Sequence, residues 1–370
     1  MNPSAKAIIQ IPVVVAMIFV LMAIPGKNAH AQIGDLGEML EAGADDATLL
    51  VQEYLKPFGS GFGAGINSGW VDRANTHGVP GFHLKVNLAV AMVPDAHRSF
   101  NVNEIGLEEL ELLEGDPNTP TFSGDSDPGP RLGINRTING ETVTVADFRM
   151  PEGVGLGYVP TPMLQAGAGL PKNTDVMLRL IPPTDLGDYG KLSLYGLGVK
   201  HELNQWVPGG GLWPVTLSIM GGFTTFRSSA DLDAPPSGEY QDPDNLGGPG
   251  SPTWDDQAIS LQTDAFTMNL LVGKSLPIIS VYAGVGFETA TTAIKMEGNY
   301  PFYVPAMSNE GTATRDLTAL VDPINISLDG SNTVRALAGI RISLPLISLN
   351  VDYTAAEYSM VTAGFGISFR

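Results

Sequence analysis

In separate runs between residue 82 and the end of the chain, apolar side chains recur at every second position. Val361, Ala363, Phe365, Ile367 and Phe369 alternate with Thr362, Gly364, Gly366 and Ser368, and Ile347, Leu349, Val351 and Tyr353 alternate with Ser348, Asn350, Asp352 and Thr354. Leu84, Val86, Leu88 and Val90 oppose His83, Lys85 and Asn87 within Phe82 to Met92, and residues 334–344 set an apolar row against Arg341 and Ser343. A period of two is that of a strand with one apolar face. Val215 to Ile219, Phe266 to Val272 and Ile279 to Phe287 add further runs, with weaker ones at 60–70, 141–149, 157–168, 174–182 and 190–202. The pattern predicts about twelve strands, and fourteen if 293–330 holds another hairpin. Many of the runs are roughly 10–14 residues long, beyond an ordinary strand and enough to cross a bilayer at a tilt. Their other face is Gly, Ser, Thr and Asn with isolated charges, as a wet lumen requires. The fold class expected is all-β, a transmembrane antiparallel up-and-down barrel. A soluble β sandwich is the competing reading, since its strands alternate too.

The connections support the barrel. Short turns at 169–173, 273–277 and 343–345 alternate with long segments rich in Asp, Pro, Gly and Ser at 228–257 and 293–330. Short turns on one side and long loops on the other is the outer-membrane pattern. Counting twelve strands back from a periplasmic C-terminus puts those loops outside, but places 94–140 on the short-turn side, which does not fit. All four tryptophans, Trp70, Trp206, Trp213 and Trp254, and also Tyr353 and Tyr358, fall near expected strand ends, as an interfacial girdle would place them.

The first residues follow a different rule. Lys6 precedes an apolar stretch from Ala7 to Ile24, Pro25-Gly26 breaks it, and Ala29-His30-Ala31 offers a small-x-small cleavage site. The expected division is a signal peptide at 1–31, cut near Ala31/Gln32, with an uncleaved N-terminal anchor as the rival; then a helical segment at 32–57; then the barrel at 58–370. In the helical segment Asp45 or Asp46 is a cap before Ala47 and Pro57 is the expected stop. It is read either as a plug or as a cover for one end of the fold.

Composition narrows the function. The chain has 370 residues, 39 Asp and Glu against 20 Lys and Arg, a net charge of −19 and no cysteine. That charge excludes broad electrostatic binding of nucleic acid or of anionic lipid. The absence of Cys excludes disulfides, lipoprotein attachment and thiolate metal sites. The histidines make no metal-binding spacing, no Gly-x-Ser-x-Gly elbow occurs, and Gly59-x-Gly61-x-Gly63 is read as a Gly-rich strand rather than a dinucleotide loop. No enzyme activity and no cofactor are expected. Asp125 and Asp127, and Asp231, Asp233, Asp242 and Asp244, make acidic loops that suit divalent cations or simple solvation. The lumen-lining residues expected from strand parity are His83, Lys85, Lys200, Glu288, Arg341 and Asp352.

Three stretches carry a resemblance: Tyr54-Leu55-Lys56-Pro57-Phe58-Gly59-x-Gly61-Phe62-Gly63-x-Gly65, the run from Val86 to Pro94, and Gly196-Leu197-Gly198-Val199-Lys200-His201. They are similar to an uncharacterised family of Bacteroidetes outer-membrane proteins, and the likeness covers most of the mature chain. That family resembles FadL-type transporters of hydrophobic compounds in outline, with a helical segment ahead of a barrel, and no residue role transfers. The expectation is a Gram-negative outer-membrane barrel in contact with membrane lipid, passing a small-molecule or lipid-like substrate. The alternative is a closed structural or surface-interaction barrel with cation-binding loops.

Overall fold

The computed structural model describes residues 44–369, apart from 139–140, 188–189, 233–252, 255 and 308–312. The expected signal peptide and its cut, the start of the helical segment, and Asp233, Asp242 and Asp244 lie outside the described residues. In chain order a helix, α1 (Ala44–Asn67), is followed by β1 (Phe82–Met92) and five short strands, β2 (Ser99–Asn101), β3 (Glu111–Glu114), β4 (Asn118–Pro120), β5 (Arg131–Ile138) and β6 (Glu141–Arg149). Then come β7 (Tyr158–Leu170), β8 (Thr174–Asp185), β9 (Lys191–Glu202), β10 (Thr216–Asp231), β11 (Ala258–Ser275) and β12 (Ile279–Glu297). The chain ends with β13 (Asn299–Met307), β14 (Ala313–Val321), β15 (Ile324–Asp329), β16 (Val334–Ser343), β17 (Ile347–Ala355) and β18 (Met360–Phe369).

Ten of these strands form a closed antiparallel barrel, in the order β1, β7, β8, β9, β10, β11, β12, β16, β17, β18 and back to β1. The alternation explains it. Along β1, Phe82, Leu84, Leu88 and Met92 are exposed on the outside, while His83, Lys85, Asn87, Ala89 and Ala91 are buried. Leu349, Val351 and Tyr353 on β17 and Phe365, Ile367 and Phe369 on β18 continue the exposed belt. An apolar skin around a polar interior is the reverse of a soluble sandwich.

The barrel has ten strands rather than twelve to fourteen, and the difference has three sources. Residues 60–70 are not a strand, because α1 runs on through Pro57 to Asn67. Residues 141–149 do form a strand, but it pairs with β5 in a separate three-stranded sheet with β3. The stretch 293–330 does hold a hairpin, β13–β14, which stands apart from the barrel sheet. Taking 141–149 out of the barrel reverses the direction of β1, so 94–140 moves to the same end as the other long segments and the misfit disappears, while the loss of 60–70 leaves the first strand starting at the turn end. That loop end carries β2 to β6 and the β13–β14 hairpin; the opposite turn end carries the β7–β8, β11–β12 and β16–β17 turns. β11 and β12, with 18 and 19 residues, outrun the length needed to span a membrane and rise past the belt toward the loop end.

One part of the wall is unzipped. β7 pairs with β1 along its length but with β8 only from Gln165 to Leu170, and β8 is irregular between Ile181 and Thr184. Pro160 and Pro162 on β7, and Pro182 and Pro183 on β8, border the gap, and none has an N–H to donate to a ladder.

Candidate functional site

The lumen is filled by the chain's own N-terminal part. An eight-strand barrel is filled by side chains alone; ten strands leave room for a helix, and α1 packs against β1, β7, β10, β11, β12 and β15 from within. Its first turns sit at the loop end. Ala47, Leu50, Val51, Tyr54 and Leu55 share an apolar cluster with Leu132, Phe148, Met150, Met296, Tyr300 and Ile324 of the loop-end cap. Asp46 does not cap the helix; its carboxylate accepts the backbone N–H groups of Glu108, Glu109 and Leu110, each at 2.9 Å, and ties the cap to α1. Burial pushes the Tyr300 hydroxyl up to about 12, so it stays a donor, to the Ala258 carbonyl at 3.3 Å.

Below Pro57 the helix is narrow because it must be. A Cβ on Gly63 would come within 2.5 Å of the Ala290 side chain on β12, and one on Gly65 would overlap Thr161 on β7. The same demand shapes the wall: Trp70 lies against Gly198 on β9 and Gly222 on β10, where a Cβ would approach its ring within 2.7 Å. Trp70 is therefore a lumen residue, only 2% exposed, and not part of a girdle. Tyr358 is also buried, its hydroxyl 2.9 Å from His97 Nδ1, whereas Trp206 and Trp213 are exposed near the turn end. His201 falls on the outer face, 2.7 Å from the Trp206 indole N–H that donates to it.

After α1 the chain runs down the lumen with its main-chain carbonyls held by side chains of the wall. Arg179 donates to the carbonyls of Ile66 and Ser68, and Arg335 to that of Asn67 at 3.2 Å. Cations at a helix C-terminus are favoured by its dipole. Asn87 takes the Gly69 carbonyl at 2.9 Å, and Lys85 and Gln165 share that of Trp70 at 3.3 and 3.0 Å. Lys200 reaches the carbonyls of Arg73 and Asn75 at 3.3 and 2.9 Å. The Arg179 guanidinium also stacks on Trp70, 3.7 Å from the ring centroid.

Acids of the plug and wall neutralise these cations. Asp72 lies 3.0 Å from Arg341 and 4.0 Å from Lys85. Asp175 holds Lys200 at 3.3 Å and His77 Nδ1 at 3.0 Å, and Glu288 holds Arg335 at 2.6 Å. Asp352 accepts the Tyr282 hydroxyl at 3.2 Å. All six residues chosen by parity sit on the inner face and are buried. Lys85 and Arg341 converge on Asp72; Lys200 joins Asp175; His83 stacks on His77 with ring centroids 4.5 Å apart; Glu288 and Asp352 make separate pairs. Reasoning from sequence missed Asp72, His77, Asp175, Arg179 and Arg335. Asp175 and Arg179 alternate along β8, and Arg335 has the parity of Arg341, so the same rule reaches those three. Asp72 and His77 lie in irregular chain and gave no signal.

His77 with Asp175 has the form of a base and its orienting acid. The ring of His83 covers it, and both histidines are only 7% exposed, which leaves no space for a substrate. Both ring nitrogens of His83, Asn87 Oδ1 and Asn350 Nδ2 are buried without a hydrogen-bond partner among the described residues. Among the described residues no group of three or more His, Asp or Glu is placed to hold a metal ion.

The described chain is similar to several solved outer-membrane barrels. Against the attachment invasion locus protein Ail of Yersinia pestis the identity is 8%, covering 78% of this chain and 99% of that one, with a TM-score of 0.26. Against the translocator domain of autotransporter NalP from Neisseria meningitidis it is 9%, covering 80% and 89%, with a TM-score of 0.31. Against the toluene transporter TodX of Pseudomonas putida it is 8%, covering 84% and 95%, with a TM-score of 0.26. No curated protein matches the sequence. Residues 8–369 match a family of unknown function (DUF6588), and the chain belongs to that family.

Proposed function

We propose that this protein is an outer-membrane barrel that passes a small compound and is held closed by α1 and residues 68–81. The carrying observation is the character of the plug's lower attachment. Carbonyls from Ile66 to Asn75 are held by Arg179, Arg335, Lys85, Gln165, Asn87 and Lys200. Breaking such bonds exchanges them for bonds to water, at a small net cost for each. The exposed wall would be polar already, and its six parity-chosen residues would then line a path. The cytoplasm is excluded from this reading; the location is the outer membrane, with the loop end facing outward.

The seam between β7 and β8 keeps a hydrophobic cargo within the proposal. There a compound would enter or leave sideways without breaking a ladder bond. The closed structural barrel is the second reading, favoured by the apolar cluster that joins the upper half of α1 to the cap. Planar-bilayer conductance separates the two. The refolded wild type is expected to be quiet. The variant Arg179→Gln, Arg335→Gln is expected to show discrete openings, because the C-terminal carbonyls of α1 lose their charged donors. A variant that folds and stays as quiet as the wild type overturns the channel and leaves the structural role.

A further inference from the structure

The outer face of the sheet changes character above the apolar belt. Across β9 to β12 the belt ends toward the loop end in Tyr195, Phe223, Phe266 and Phe287, all exposed. Higher up, Lys191, Ser229, Ser260 and Lys295 stand side by side, each opposite the next across the ladder. Arg227 sits one outward position lower, between Ser193 and Gln262. With strands about 4.8 Å apart, the two lysines stand about 14 Å from each other with the arginine between them. These side chains, together with Glu297, line a depression of about 620 Å³ on the outside of the wall.

The three cations are distinct from the others at this end. Lys56, Arg98, Arg131 and Arg149 each meet a carboxylate, at 3.2, 3.0, 2.5 and 3.9 Å. Lys191, Arg227 and Lys295 meet none among the described residues. Asp185, opposite Lys191, makes no ion pair with it. Arg227 donates to Gln262 Oε1 at 3.2 Å, and the Gln262 amide donates in turn to Asp264 at 2.7 Å. Three cations in one depression, none in an ion pair among the described residues, run against the composition of a chain with a net charge of −19.

We propose that this depression binds the phosphorylated headgroup of an outer-leaflet glycolipid. The inference rests on the outer-membrane placement above and on the loop end facing outward. Phosphate oxygens suit a planar guanidinium flanked by two ammonium groups. The acyl chains continue down the wall over Tyr195, Phe223 and Phe266, which are already exposed at the interface where aromatic residues settle. A free phosphate would gain the cations but not the belt, so the lipid is the occupant that uses both.

Native mass spectrometry of the purified full chain in detergent tests this with three probes: diphosphorylated lipid A, the same lipid dephosphorylated, and inorganic phosphate. The wild type is expected to retain diphosphorylated lipid A at least about tenfold better than the variant Lys191→Ser, Arg227→Ser, Lys295→Ser, given the worth of a basic residue near an anionic lipid surface. The dephosphorylated lipid is expected to be held weakly and equally by both, and inorganic phosphate by neither. Undiminished lipid A on the variant, or retention of inorganic phosphate by the wild type, overturns the site. Gel mobility before and after boiling keeps the two failures apart. If the wild type does not run compact unboiled, the barrel reading itself falls; if both run compact and lipid A is unaffected by the substitutions, only the site falls.

Discussion

Gly65 sits where a side chain has no room. A Cβ there overlaps Thr161 on β7, so Gly65→Val is expected to cost about 1–3 kcal/mol as overpacking. The partner is known, which makes the prediction specific. Thr161→Gly is expected to recover most of that loss in the double variant, read as the urea midpoint of the lipid-refolded protein; equal midpoints for the single and double variants would place the clash elsewhere. The same glycines show why part of this site was illegible. Gly59, Gly61, Gly63 and Gly65 recur every second residue, and in a strand that puts all four on one face. In a helix, steps of two turn roughly 200°, so alternate glycines face opposite ways. Gly59 approaches β15 and β12 and Gly63 approaches β12, while Gly61 and Gly65 approach β7. A helix wedged between two walls needs this pattern, and sequence alone reads it as a strand. The inward charges were easier. Lys85, Arg341 and Asp352 are visible because a charge amid strict alternation has only one side to face.

At the scale of elements, legibility followed the purity of the outer face. β1, β16, β17 and β18 were read nearly to the residue, since their outward positions are almost uniformly apolar. β7 and β8 were faint, because Pro160, Pro162, Pro182 and Pro183 interrupt the ladder and Met177 and Ile181 put apolar side chains inward. α1 was cut short at Pro57, where the lost hydrogen bond predicts a stop. The structure runs through it because Tyr54, Phe58 and Phe62 are packed on both sides of the break, Phe58 against Phe62 at 5.7 Å and against Phe122 at 5.3 Å. The helix thus has an upper half in the apolar cluster of the cap and a lower half whose Ala64 and Ile66 pack on Val159, Ile181, Leu194 and Ala290 of the wall, with polar bonds to the wall from Ile66 on. If gating moves the lower half, pinning it must block conduction. A Cβ on Gly59 would stand 3.6 Å from the Thr292 Cβ, within the span of a disulfide. With no native cysteine to interfere, Gly59→Cys, Thr292→Cys is expected to crosslink α1 to β12. Added to the Arg179→Gln, Arg335→Gln variant, the oxidised bridge is expected to silence its openings and reduction to restore them. Openings that persist under oxidation, with the crosslink verified by mass, would put the conducting path somewhere other than past this helix.

At the scale of the whole molecule, one direction decides the rest. α1 enters at the loop end and descends, residues 68–81 reach the turn end, and β1 climbs back. The start of α1 is therefore on the same side as the cap and the glycolipid depression, and on the opposite side from the short turns. In the proposed function that side is the cell exterior, because long loops face outward and short turns face the periplasm in outer-membrane barrels. The absence of cysteine makes the orientation directly measurable. Asp45, exposed near the start of α1, and Lys274, exposed at the turn end of β11, mark the two faces. In intact cells a membrane-impermeant maleimide is expected to label Asp45→Cys and to leave Lys274→Cys unlabelled; after permeabilisation both should react. The reverse pattern would turn the barrel over, putting the basic depression in the phospholipid leaflet and the cap in the periplasm. Labelling of both in intact cells would mean that the wall does not separate two compartments, and the apolar skin outside the sheet would then need a partner other than lipid.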